Sequence, residues 1–173
     1  MFYLVRHGEP DYSERNSKIY QGFGVNLSPL TAAGIAQIKA AAQDPRLAGA
    51  DVILSSPYTR ALQTAAVLSK ELGIEIAVET DLHEWLANKS YIYESDEKAG
   101  QSYREYIEWN GVYPQGEEKD WETSAMMRER ALRVLEKYRN CGKVIVACHG
   151  MLIQAVTGGG YPACGQITEY RLQ

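Results

Sequence analysis

Apolar residues occur as short unbroken runs separated by stretches with helical spacing. Phe2-Tyr3-Leu4-Val5 is continuous and predicts a short buried strand over 2–6. Ile35, Ile38 and Ala42 recur at helical spacing and predict a helix from about 31 to 43, with Thr31 as its cap. Asp51-Val52-Ile53-Leu54 predicts a second strand. Ser56-Pro57 reads as a helix start, Ser at the cap and Pro in the first turn. That helix should bury Tyr58, Ala61, Leu62, Ala65, Leu68 and Leu72 and stop at Gly73. Ile74 to Val78 predicts a third strand, and residues 98–110 and 121–139 predict helices. The second of these places Met127, Ala131, Val134, Leu135 and Tyr138 on one face. Lys143 to Cys148 is a very apolar strand ending in His149-Gly150. A short helix follows, then a break at Gly158-Gly159-Gly160 and a final edge strand over 166–172.

Strands alternating with helices imply an α/β fold: a single-domain three-layer sandwich, a mostly parallel central sheet with helices on both faces. Ligands of such sheets sit beyond the carboxyl ends of the strands. His7, Ser55-Ser56 and His149 all fall at such ends. Residues from about 86 to 120 fit no strand–helix unit and read as a lid-like insertion over the site. The stretch from Trp85 through Tyr91, Tyr93, Tyr103, Tyr106, Trp109 and Tyr113 is rich in aromatics. These aromatics would line the cleft, the core or a homodimer interface, and a helical aromatic stripe is most often core.

At 173 residues the chain has the length of one domain with a real core. A net charge of −4 offers no general basic surface for nucleic acid or an anionic membrane. An anion site must therefore come from a few converging cations. The three cysteines, Cys141, Cys148 and Cys164, cannot all pair and form no CxxC. With Met1 running straight into the first strand, the expectation is a cytoplasmic protein with no signal peptide. No apolar run approaches the length of a membrane span.

Arg6-His7-Gly8 sets a fixed cation beside an imidazole at a strand end, where a backbone without a side chain can turn. Attack on a phosphoryl group needs a nitrogen nucleophile and a counter-charge for the phosphate oxygens. Arg60, in the first turn of a helix, adds a cation to free backbone N–H groups and could build an anion site. His149-Gly150 repeats the strand–His–Gly arrangement. An acid for the leaving alkoxide is offered by Asp81-Leu82-His83-Glu84-Trp85, where Asp81, His83 and Glu84 compete. A carboxyl beside Leu82 and Trp85 would have a raised pKa and suit both proton steps. Taken one at a time, each residue also has an ordinary structural explanation. His7, His83 and His149 show no HxH or HExxH spacing, so no metal site is expected, and no P-loop occurs.

Together these segments resemble the histidine phosphatase superfamily, which includes the phosphoglycerate mutases, over nearly the whole chain. Leu4-Val5-Arg6-His7-Gly8-Glu9 resembles its opening strand and nucleophile. Leu27 to Gly34 matches the segment leading into its first helix, and Ser55-Ser56-Pro57-Tyr58-Thr59-Arg60-Ala61-Leu62-Gln63-Thr64-Ala65 its second signature. Val144-Ile145-Val146-Ala147-Cys148-His149-Gly150 matches the third. The resemblance implies that His7 becomes the phosphohistidine and that Arg6, Arg60 and His149 bind phosphate, with Gly150 beside them. Glu84, in a Leu-x-Glu context, would be the proton donor and then the base. No cofactor and no metal is implied. Many members carry Asn six residues after the nucleophile; here Ser13 stands there with Asn16 nearby, and either would line the phosphate pocket. Gln21-Gly22 matches a family Gln-Gly pair, implying that Gln21 reaches the phosphate. The stretch after Glu84 reads Trp85-Leu86-Ala87-Asn88-Lys89 and lacks the Gly-x-Trp-Glu-Gly pattern of many small phosphatases, so no substrate is inherited.

The expectation is thus a metal-independent histidine acid phosphatase-type phosphomonoesterase acting on a small phosphorylated metabolite. The alternatives are a phosphoglycerate mutase, for which the chain looks short, and a phosphohistidine-protein phosphatase, against which Glu84 argues.

Overall fold

In the computed structural model, residues 1–17 and 22–172 are described. The apolar runs become five strands: β1 (Phe2–Arg6), β2 (Val52–Ser55), β3 (Ile76–Val78), β4 (Val144–Cys148) and β5 (Ile167–Tyr170). They form one sheet in the order β3-β2-β4-β1-β5. β1, β2, β3 and β4 are parallel, while β5 pairs antiparallel with β1 at an edge. Six helices accompany them among the described residues: α1 (Gly24–Leu27), α2 (Ala32–Ala41), α3 (Thr59–Leu72), α4 (Asp96–Glu108), α5 (Ser124–Lys137) and α6 (Gly150–Thr157). None is long and apolar enough to cross a membrane.

Period-two alternation along the strands divides the core. Val5, Ile53, Ile145 and Ala147 pack with Ile38 of α2 and with Ala65 and Leu68 of α3. Phe2, Leu4, Leu54, Val144, Val146 and Cys148 face the other way. They pack on Met127, Ala131, Val134 and Leu135 of α5, on Leu152, Ile153 and Val156 of α6, and on Tyr106 of α4. Three layers result, as the alternation of elements implies. Ile53 and Leu54, on opposite faces, are both fully buried. Truncating either to Ala should cost about 2–5 kcal/mol.

Register places the site. Arg6 lies level with Cys148, and Ser55 with Ala147. The next residues, His7, His149 and Ser56, therefore leave the sheet side by side. His7 N–H still donates to Cys148 O at 3.0 Å, and Ser56 N–H to Ala147 O at 3.0 Å.

Several boundaries differ from the sequence pattern. α3 starts at Thr59, with extended Tyr58 at its N-cap position, rather than at Ser56-Pro57. The residue before a proline is pushed away from helical geometry, so Ser56 stays outside the helix, its hydroxyl accepting from Tyr58 N–H at 3.3 Å. α5 starts at Ser124, where the Thr123 hydroxyl accepts from Met126 N–H at 3.2 Å, leaving Trp121 and Glu122 ahead of the helix and buried. α4 starts earlier than its apolar spacing suggests because Ser95 caps it through Lys98 N–H. β3 is cut to an edge strand with Ile76 and Val78 exposed, and α1 carries no apolar periodicity that would announce it. The aromatics from 85 to 121 divide. Tyr106 and Trp121 are core, Trp85 and Tyr113 are half-buried against it, and Tyr91, Tyr93, Tyr103 and Trp109 are exposed.

Candidate active site

The parallel strand ends bring together Arg6, His7, Ser56 and His149, and the first turn of α3 adds Arg60. His7, Arg60 and His149 are 3%, 2% and 0% exposed, so the two imidazoles and the Arg60 cation are almost wholly desolvated, with Arg6 half-buried beside them. The rings of His7 and His149 lie 5.3 Å apart, edge to face.

Each ring has a definite orientation. His7 Nδ1 lies 2.7 Å from Gly8 O, and a carbonyl only accepts, so Nδ1 carries the proton. Nε2 is left with its lone pair, onto which Arg60 Nε donates at 3.2 Å. Burial, the Arg60 guanidinium and Arg6 pull the His7 pKa down to about 3, against the Gly8 bond. His7 is therefore neutral, with a directed lone pair, at any ordinary pH. His149 Nε2 and Ser56 Oγ are 2.7 Å apart, and burial with nearby Arg60 holds His149 well below the ordinary imidazole range. Tyr58 packs edge-on against His149 at 5.3 Å, and burial pushes its hydroxyl up to about 12. Two buried side-chain polar atoms have no hydrogen-bond partner among the described residues: Arg6 Nε and His149 Nδ1. Both belong to this cluster. Arg6 is otherwise held by Pro162 O at 2.7 Å and by the face of Tyr161, 4.6 Å from the guanidinium carbon.

Glu84 reaches the cluster from the loop after the 3-10 turn Thr80–Leu82. Its carboxyl accepts from Met151 N–H and Leu152 N–H, each at 3.3 Å. These are donors of the first turn of α6, whose N-cap residue is His149 and which has no side-chain cap of its own. Trp85 N–H adds a bond at 3.0 Å. Burial raises the Glu84 pKa, against the pull of those N–H groups and of Arg60. The carboxyl thus combines an orienting cradle with an environment that favours its protonated form.

The model of the histidine phosphatase superfamily (branch 1) matches residues 2–159. The chain belongs to this superfamily. Among curated relatives, a Hydrogenobacter thermophilus protein provisionally named phosphoserine phosphatase 2 is 37% identical over 83 residues, 47% of this chain and 38% of that protein. A 2,3-bisphosphoglycerate-dependent phosphoglycerate mutase of a Methylobacterium species is 28% identical over 164 residues, 88% of this chain and 76% of the mutase. The match to the first of these relatives therefore spans well under half of that protein's length. A mycobacterial glucosyl-3-phosphoglycerate phosphatase structure shares the fold with a TM-score of 0.66 and 20% identity, over 91% of this chain and 77% of that one.

Other residues singled out from this superfamily member's sequence are placed unevenly. Gly150 opens α6 beside Tyr161: a Cβ there would sit 2.5 Å from the ring. Ser13 is exposed, and its backbone N–H donates to Asp11 Oδ1 at 2.9 Å. Among the described residues no hydrogen bond joins Ser13 or Asn16 to Arg6, His7, Arg60 or His149, and Gln21 lies outside the described residues. Ser56, read as a helix cap, does accept from Tyr58 N–H at 3.3 Å, although the helix starts only at Thr59, and its hydroxyl is also the partner of His149. His7 and His149 are distant in sequence but in ring contact, while His83 packs against Tyr58, which itself packs on His149. His83 is buried with Nδ1 at Glu84 O (2.7 Å) and Nε2 at the Tyr91 hydroxyl (3.0 Å). Its ring is thereby committed, and Glu84 is the carboxyl bonded to the N–H groups of α6. Among the described residues no three His, Cys, Asp or Glu side chains are grouped to hold a metal ion.

Sequence reasoning passed over Thr64, whose hydroxyl accepts from Gly8 N–H at 3.2 Å and donates to Arg60 O at 2.8 Å. Its position one turn after Arg60 was the available signal. It also passed over Tyr161, Glu122 and Arg130. Arg130 lies on the apolar face of α5 between Met127 and Val134, where a charge is anomalous, and that could have drawn notice.

Proposed function

We propose that this histidine phosphatase superfamily member is a phosphomonoesterase for a small phosphorylated metabolite, working through a phosphohistidine on His7. The observation that carries the reading is the neutral His7 with its Nε2 lone pair facing Arg60, beside two buried nitrogens without partners among the described residues, the Arg6 Nε donor and His149 Nδ1. A phosphoryl group is the anion that would satisfy them and meet the lone pair at once.

In the first step Nε2 bonds to phosphorus as the P–O bond to the alcohol breaks. Arg6, Arg60 and His149 take the charge on the equatorial oxygens, and Glu84 gives its proton to the leaving alkoxide. In the second, the Glu84 carboxylate takes a proton from water as its oxygen bonds to phosphorus. The P–N bond breaks, releasing inorganic phosphate and restoring His7. Covalent capture and converging cations are suited to phosphate monoesters, whose hydrolysis can need accelerations of up to about 10²¹-fold. All groups needed for this come from the chain, so the reading assigns no step to a metal.

The mutase relative keeps a second reading in view, since a phosphohistidine can also pass its phosphoryl group to another alcohol. Phosphate release from a panel of phosphomonoesters, set against 2-/3-phosphoglycerate exchange, tests both. Release should dominate and vanish in His7→Ala. Exchange faster than release favours the mutase, and activity retained in His7→Ala overturns the mechanism.

A further inference from the structure

Glu84 sits in irregular backbone, yet the residues on both sides of it are tied to one buried ion pair. Arg130 of α5 and Glu122, just ahead of that helix, have side chains only 7% and 6% exposed. The pair is bidentate: Nε to Oε1 at 2.6 Å and Nη2 to Oε2 at 2.9 Å. The fork has donors left over, and all of them go to the acid-bearing segment. Nη1 donates to Asp81 O at 2.6 Å and His83 O at 2.8 Å, and Nη2 reaches Glu84 O at 3.4 Å. Glu122 holds the far side. Its Oε2 accepts from Leu86 N–H at 3.3 Å, its own N–H donates to Leu86 O at 3.0 Å, and its carbonyl accepts from Trp85 Nε1 at 2.7 Å. Asp81, His83, Glu84, Trp85 and Leu86 are thus all stitched to Glu122 or Arg130, while the Glu84 side chain turns to Trp85 N–H and the first turn of α6.

A buried ion pair is weak evidence of stability, because desolvating two charges offsets most of their attraction. What this pair supplies is geometry. Irregular backbone has no ladder to fix it, and a planar five-donor fork fixes three consecutive-region carbonyls at once.

We propose that Glu122 and Arg130 are positioning residues for the proton donor: they set the 81–86 backbone so that the Glu84 carboxyl stays on the α6 N–H groups beside His149. The proposal rests on the proton-donor reading of Glu84. Neither residue touches the phosphoryl group. A displacement of about 1 Å can cost on the order of 10²-fold in rate, so loosening the clamp should be felt in the step that needs the proton.

The test compares kcat/KM for p-nitrophenyl phosphate, whose leaving group needs little protonation, with that for glycerol 2-phosphate, whose alkoxide needs it. This parameter reports the first phosphoryl transfer alone. The variants are Arg130→Lys, which keeps charge and bulk but loses the fork, and Glu122→Leu/Arg130→Met, which removes both charges. Arg130→Lys keeps a folded protein in hand should the double variant unfold, and thermal melting reports which do. The ratio of the two kcat/KM values should rise at least 10-fold in favour of p-nitrophenyl phosphate. In the Glu84→Gln background Arg130→Lys should raise it no further, because residues acting through one group are not additive. A parallel fall for both substrates, an unchanged ratio, or an effect that adds to that of Glu84→Gln overturns the proposal. If Glu84→Gln alone leaves the ratio unchanged, it is the proton-donor reading itself that has failed.

Discussion

Arg60 Nε donates to His7 Nε2 across 3.2 Å, so the guanidinium rests on the imidazole nitrogen that carries the lone pair. The contact does two things. It holds the lone pair in line with a fixed cation, and it adds to burial, the larger cause, in disfavouring protonation of the ring. In the proposed mechanism phosphorus takes that lone pair, so the Arg60 Nε–H would have to turn from Nε2 to a phosphoryl oxygen; Nη1 is anchored on Val25 O, 2.7 Å away.

Replacing Arg60 by Ala should therefore lower kcat/KM by about 10²–10³, the usual cost of removing one donor to developing charge. The His7 pKa should rise from about 3, but only part of the way to 6.5, since burial rather than Arg60 is the larger cause. Imidazole NMR titration of wild type and variant checks the second point. An unmoved His7 pKa would show that the contact has no electrostatic role.

Glu84→Gln should remove most hydrolysis of alkyl phosphates while sparing attack on p-nitrophenyl phosphate. It should also flatten a basic limb. Because burial holds the Glu84 pKa above its ordinary value, wild-type kcat/KM for an alkyl phosphate should decline as pH rises through that shifted pKa and the carboxyl loses its proton. Initial rates on both substrates across pH 4–9, about the range any buffer set spans, check this.

Stability should fall with acid. His7, His83 and His149 all have folded-state pKa values depressed by burial. The unfolded chain takes up their protons near pH 6.5 while the folded chain refuses them. Their stabilisation is fully present above about pH 6.5 and is lost as pH falls toward the folded values, by about 1.4 kcal/mol per pH unit for each ring kept neutral. Glu84 works in the opposite sense, since its raised folded pKa returns some stability on acidification. Urea unfolding at several pH values should show a net loss below pH 6.5, shallower in His7→Asn.

Two glycines near the site should respond differently to alanine. A Cβ on Gly8 would lie 2.4 Å from Gly34 O, a backbone atom that cannot swing away. Gly8→Ala should destabilise by at least about 1–3 kcal/mol, the usual cost of overpacking. A Cβ on Gly150 meets the Tyr161 ring, which is 53% exposed and free to rotate. Gly150→Ala should fold nearly normally but displace Tyr161 from Arg6, changing activity more than melting temperature.

The strand–helix order, the two-sided core and the residues at the strand ends could all be read from spacing. Apolar periodicity is a local property, and so are the turns that carry Arg6-His7, Ser56 and His149. Ser56 shows the limit: its hydroxyl does accept locally from Tyr58 N–H, but the helix begins only at Thr59, and the same hydroxyl pairs with a histidine 93 residues away, which local rules do not reveal. Arg130 shows it again, since a charged side chain on an apolar face is visible in sequence while its carbonyl partners at 81, 83 and 84 are not.

Arg6, Arg60 and His149 around His7 each carry a local signal at a strand end or helix start in the chain itself, and the family resemblance joins those signals into a set. Tertiary structure alone decided which nitrogen of His7 is free, which carboxyl faces α6, and what holds it there. Those are matters of hydrogen bonds between segments distant in sequence, formed only once parallel strands stand in register and remove water from between them.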